Sequence, residues 1–188
     1  MAGYTKVSIP KKGDGAGAAS IKNPTVVLVD VADVTAEPTR TFGNVVTTGD
    51  LTLEVSAKAV GIYATPSSIE AGFETSGEVD GKGYKQKLSF EHPGESDELC
   101  SFQEANLNRG FIALVTECDG SAKGKVKMYG SKCNPLFMNI EPTNNKESVK
   151  SKFTFSQEIA GKFLPGVYVG TMPTLAAETV LEAAAEGL

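Results

Sequence analysis

Short segments of strand character, one after another along the chain, constrain its fold more than any other feature. "TVVLVDV" (25–31) is β-branched and almost continuously apolar, the pattern of a strand buried on both faces. "LTLEVSA" (51–57) alternates, with Leu51, Leu53, Val55 and Ala57 on one side. "GYKQKLSF" sets Tyr84, Gln86, Leu88 and Phe90 against Lys85, Lys87 and Ser89. "FIALVTE" (111–117), the turn "CDGSAKG" and "KVKMYG" predict a hairpin, with Val126 and Met128 opposite Lys125 and Lys127. "PLFMNIE" (135–141), "SKFTFSQ" (151–157) and "GVYVGTM" (166–172) bring the expectation to roughly eight strands.

One helix interrupts them, in "HPGESDELCSFQEANLNRG". Ser96 or Asp97 can cap its first amides, and Glu95, Asp97 and Glu98 sit at the positive end of its dipole. Leu99, Phe102 and Leu107 form the expected inward stripe, and Asn108-Arg109-Gly110 the stop. A second helix is expected at the C-terminus, capped by Thr174, with "LAAETVLEAAAE" as its body and Gly187 as terminator. The spacing therefore predicts a mainly β (α+β) protein, a β-sandwich or partly closed barrel with one flanking α-helix. Residues 1–24 read as an extended, flexible N-terminal arm, 25–173 as the β domain, and 174–188 as a short C-terminal helix or tail. The stretch 65–83 reads as a long loop, and loops of that length are usually functional or disordered.

Composition excludes several function classes. A net charge of −5 argues against a protein that wraps nucleic acid, because phosphate contacts need clustered Lys and Arg. The start, "MAGYTKVSIPKK", lacks the apolar core of a signal peptide, and "VVLV" and "FIALV" are too short to span a bilayer. Cys100, Cys118 and Cys133 are three in number, at no metal-ligand spacing, and read as free thiols of a protein made in a reducing cytosol. Asn23 is followed by Pro24 and is no glycosylation acceptor.

No constellation carries catalysis. "IPKKGDGAGAASIKNP" (9–24) looks like a phosphate-binding loop, but Lys11 and Lys12 precede the glycines, and a strand follows where a helix would be needed. It reads as a flexible bridge from a short leading strand, 4–9, to the first core strand. His92 has no nucleophile beside it and reads as a turn histidine, and the surroundings of Cys118 read as a hairpin tip. Glu70, Glu74, Glu78 and Asp80 form an acidic stretch that lacks the ligand alternation of a calcium loop. Glu178, Glu182 and Glu186 recur four residues apart and form one negative ridge on the C-terminal helix. Such a short helix persists in water only if it docks, and Lys85, Lys87, Lys123, Lys125 and Lys127 offer basic strand faces, complementary between copies of the chain.

The β-rich order with one short helix, the N-terminal arm, the long acidic loop and the C-terminal extension resemble the tail tube proteins of tailed bacteriophages. The segment "GSKCNPLFMNIEPTNNKESVKSKFTFSQEIAGKFLPGVYVGTMP" (130–173) is similar to the C-terminal half of small phage virion proteins. That resemblance implies a sandwich with a flanking helix, in six-membered rings stacked into a hollow tube that conducts DNA. It implies that residues 1–24 and 65–83 bridge rings, and that Glu70, Glu74, Glu78 and Asp80 face a lumen or a neighbouring ring. The Ala- and Glu-rich C-terminus departs from the common pattern. The expected function is thus that of a non-enzymatic virion structural protein, made in the bacterial host cytoplasm. No cofactor, metal or membrane is expected. Its partners are copies of itself and other virion proteins, with DNA only as passing cargo. Its assembly residues are Lys11, Lys12, the acidic stretch, Lys125, Lys127 and the C-terminal ridge. A capsid-decorating or adhesive β-sandwich module is the alternative.

Overall fold

Alternation and β-branching resolve into twelve strands and one α-helix in the computed structural model, which describes residues 8–14, 16–118 and 124–177. The first half holds β1 (Ile21–Lys22), β2 (Thr25–Asp30), β3 (Val34–Ala36), β4 (Thr52–Leu53), β5 (Val60–Tyr63), β6 (Glu70–Ser76) and β7 (Gly83–Pro93). After α1 (Asp97–Asn106) come β8 (Gly110–Cys118), β9 (Lys125–Tyr129), β10 (Leu136–Asn144), β11 (Val149–Ser156) and β12 (Gly166–Tyr168). Among the described residues the protein is mainly β, with one large antiparallel sheet and the flanking helix that the patterning predicts.

The pairings run β5-β2-β8-β10-β11-β7, and the two ends of that series approach each other. Thr65 N–H donates to the Glu91 carbonyl at 2.9 Å, and His92 Nδ1 donates to the Tyr63 carbonyl at 2.8 Å. These bonds join the end of β5 to the end of β7 and make a partly closed barrel. His92 is therefore a strand-end residue that helps close the sheet. Inside lie Val26 and Leu28 of β2, Leu88 and Phe90 of β7, and Phe153 and Phe155 of β11, all essentially buried. The Phe90 ring stacks on Phe153 at 5.2 Å and on Phe155 at 5.9 Å. Helix α1 closes one end of this interior with Leu99 and Phe102, the latter 6.3 Å from the Phe111 ring. Ser96 is the N-cap, its Oγ accepting from Leu99 N–H at 3.2 Å, a contact worth about 1 kcal/mol.

Strands β2 and β8 are buried on both faces, as their unbroken apolar runs require. Val27, Val29, Ile112 and Leu114 point away from the barrel and pack under Val34, Leu51 and Tyr168. The Tyr168 hydroxyl donates to the Thr171 carbonyl and accepts from Leu51 N–H at 3.0 Å, so the second layer is pinned as well as packed. Burial raises the pKa of that hydroxyl, keeping it a neutral donor.

Four expectations need correction. "LTLEVSA" yields only Thr52–Leu53 as strand, because Ala57 N–H turns back to the Glu54 carbonyl at 2.9 Å and leaves Val55 in solvent. Leu107 is exposed, since it is the residue after the last helical turn and the inward stripe ends at Phe102. The supposed loop 65–83 contains strand β6, paired with β7 from Glu70↔Ser89 to Ser76↔Gly83. Thr174 does not open a helix within the described residues. Its carbonyl accepts from Ala59 N–H, Ala176 N–H donates back to the Ala59 carbonyl, and Leu175 bridges Ala59 in parallel. The rest of the expected C-terminal helix, with Glu178, Glu182 and Glu186, lies outside the described residues, as does most of the leading strand 4–9. The end of the N-terminal arm is held, Ile21↔Cys118 and Lys22↔Glu117 pairing β1 with β8.

Candidate assembly surface

Sheet ends decide where this fold can be extended, because an unpaired edge presents free backbone donors and acceptors. The β12 edge is covered: Val46 bridges Val167, Val167 N–H donates to the Val45 carbonyl, and Thr47 N–H donates to that of Val167. The β5 edge is closed at one end by Thr174–Ala176 and at the other by His92. Strand β6 has β7 on one side and no backbone partner on the other among the described residues.

Parity shows which groups are free. Tyr84 and Gln86 use their backbone groups on Gly161 and on Gln157, across from β6. Lys85, Lys87 and Ser89 therefore bond to Glu74, Gly72 and Glu70, and the amides and carbonyls of Ala71, Phe73 and Thr75 point outward. Ala71 packs on the barrel core, but Phe73 lies beyond it, 48% exposed, with Tyr84 edge-on at 5.6 Å. The strand thus combines a free edge, a half-exposed aromatic and two carboxylates.

The hairpin continues past β6 into a tight tip. Gly81 N–H donates to the Glu78 carbonyl at 3.1 Å, and Asp80 adopts φ +68°, a left-handed conformation that Asp tolerates better than most residues. Val79 at the apex is 78% exposed, between the exposed side chains of Glu78 and Asp80.

Beside the base of the hairpin lies a cleft of about 370 Å³, continuous through Arg40, Lys162, Phe163 and Leu164 with a second hollow of about 230 Å³. Its architecture depends on two buried amides. Gln86 Nε2 donates to the Phe163 carbonyl at 3.1 Å, and its Oε1 accepts from Gly130 N–H at 2.8 Å. Gln157 Nε2 donates to the Asn134 carbonyl at 2.7 Å, and its Oε1 accepts from Gln86 N–H at 3.0 Å. On that floor the Arg40 guanidinium lies 4.6 Å from the centre of the Phe163 ring and donates to the Leu164 carbonyl. Lys162 Nζ approaches the same ring at 5.0 Å. Burial lowers the pKa of Arg40. Phe42, 68% exposed, rims the smaller hollow.

The sequence-predicted residues fall into separate groups. Glu70 and Glu74 share β6, and Glu78 and Asp80 share the tip. Lys127 pairs with Glu117 at 2.9 Å and Lys87 with Glu74, so the basic strand faces are partly neutralised within the chain. Lys125 is exposed opposite Glu117. Lys11 and Lys12 are exposed and far from β6 in the chain, Lys11 lying 3.4 Å from Asp14. Arg40, Phe42, Lys162 and Phe163 were not singled out. Their one sequence signal was Gln86, an amide at an inward position that required partners.

The Lys87 hydrogen bond holds the Glu74 carboxyl below its ordinary pKa. A group depressed in this way contributes stability above its unfolded-state pKa, and that contribution is lost as pH falls through the folded value. Glu74 is solvent-exposed, so the effect on stability is slight. Carboxyl-detected NMR titration should place the Glu74 midpoint lower in the native protein than in Lys87→Met.

No family model, curated protein or solved structure matches the chain.

Proposed function

We propose that this chain is a virion structural protein, a tail tube subunit that self-assembles into stacked rings around a DNA-conducting channel. The observation that carries the reading is the open edge of β6, seven residues long, with Phe73 half exposed beside it. A free edge favours strand addition from a neighbour, which would satisfy the outward groups of Ala71, Phe73 and Thr75. The charge is consistent with the role: at −5 overall, with Glu70 and Glu74 on the open strand, the surface repels phosphates instead of holding them. The two amides beneath the cleft, Gln86 and Gln157, are engaged in structural hydrogen bonds.

The test is the molecular mass by light scattering over a concentration series, for the natural chain and for Phe73→Lys. The natural chain should grow in mass with concentration. Phe73→Lys, altered at an exposed edge position, should keep its melting temperature and remain monomeric at concentrations where the natural chain associates. Equal association of both would remove β6 from the interface.

A further inference from the structure

The tip and the cleft are complementary. The tip presents one apolar side chain, Val79, between the carboxylates of Glu78 and Asp80, and none of the three is engaged in an ion pair among the described residues. The cleft presents an apolar floor around Phe163 and Leu164 between the cations of Arg40 and Lys162, which likewise have no carboxylate partner among the described residues. The cleft lining also holds Glu37, which accepts from the backbone N–H of Lys132, so two cations face one carboxylate there. An arginine stacked on an aromatic ring within a concave apolar surface is the composition that dominates protein interfaces, and a partly desolvated cation gains most from an opposite charge delivered by a partner.

We propose that the cleft receives the β6–β7 hairpin tip of a second copy of this chain, Val79 seating against Phe163 and Leu164, with Glu78 and Asp80 meeting Lys162 and Arg40. This rests on the self-assembly reading and gives it a second contact, distinct from the β6 edge. The surfaces involved are different on the two copies, so each subunit offers one tip and one cleft. Contacts of that kind propagate into rings or filaments.

Cys133 lines the cleft and is free and exposed, which supplies a native reporter. In the full chain with Cys100→Ser and Cys118→Ser, Val79→Cys should cross-link to Cys133 of a neighbour under oxidised glutathione. Peptide mapping should identify the 79–133 linkage. Adding Glu78→Gln and Asp80→Asn should slow its formation by about tenfold or more, since the paired charges are gone. Asn tolerates the left-handed backbone at position 80, so the tip keeps its shape. Arg40→Glu should do the same from the other side. If the natural chain associates but the 79–133 linkage does not form, or forms at an undiminished rate in the charge variants, the docking is wrong and self-assembly stands. If the natural chain does not associate at any concentration, both fall together.

Discussion

Replacing Phe153 by alanine should lower the free energy of unfolding by about 3–5 kcal/mol, the largest effect expected of any single core substitution. Phe153 is fully buried at the centre of the barrel, with Phe90 at 5.2 Å and Phe155 at 6.3 Å. Truncation removes the transfer free energy of the ring and also leaves a cavity. The three rings belong to β7 and β11, whose backbones are fixed by a ladder from Lys150↔Pro93 to Ser156↔Lys87, so the walls cannot collapse into the gap. Urea denaturation should show a lower midpoint with an unchanged slope, because the surface exposed on unfolding hardly differs. A loss below about 1 kcal/mol would mean that this interior is not close-packed.

Gln86→Met should cost about 2–4 kcal/mol, for a different physical reason. Methionine fills nearly the same volume, so the loss is not one of packing. It comes from two backbone groups, the buried Gly130 N–H and the part-buried Phe163 carbonyl, which lose their partners at 2.8 and 3.1 Å. An orphaned buried group costs about 1–3 kcal/mol, more than the bond contributed when made. Hydrogen exchange at the Gly130 amide should accelerate well before global unfolding. The Phe163 carbonyl anchors the cleft floor, so this variant should also weaken association while leaving Arg40 chemically intact. Gln157→Met should resemble it, since it removes the partners of the Gln86 backbone N–H and of the Asn134 carbonyl.

What the sequence revealed follows from how strongly each element is determined by local pattern. The runs "TVVLVD" and "FIALV" have no polar interruption, and only a strand covered on both faces tolerates that, so β2 and β8 were legible. The alternation in β7 was equally direct, and the cap was narrowed to Ser96 or Asp97, of which Ser96 serves. Strand β6 was not, because "EAGFETS" has one edge and much of its surface in water and carries few apolar or β-branched residues. Its strand character comes from pairing with β7, a partner that local pattern does not encode. "LTLEVSA" failed in the opposite direction. Period two is necessary for a half-buried strand, but nothing in it guarantees a neighbour, and beyond Leu53 the chain turns away. The cleft was least legible, because Arg40 and Phe163 meet only after the loop before β12 packs across Gln86.

The central claim, that this chain builds a tube from copies of itself, is tested most directly by negative-stain electron microscopy of the purified protein across a concentration series. The account predicts annular particles at intermediate concentration and stacked tubes above it, with both lost in Phe73→Lys. Uniform single-chain particles at every concentration would contradict it.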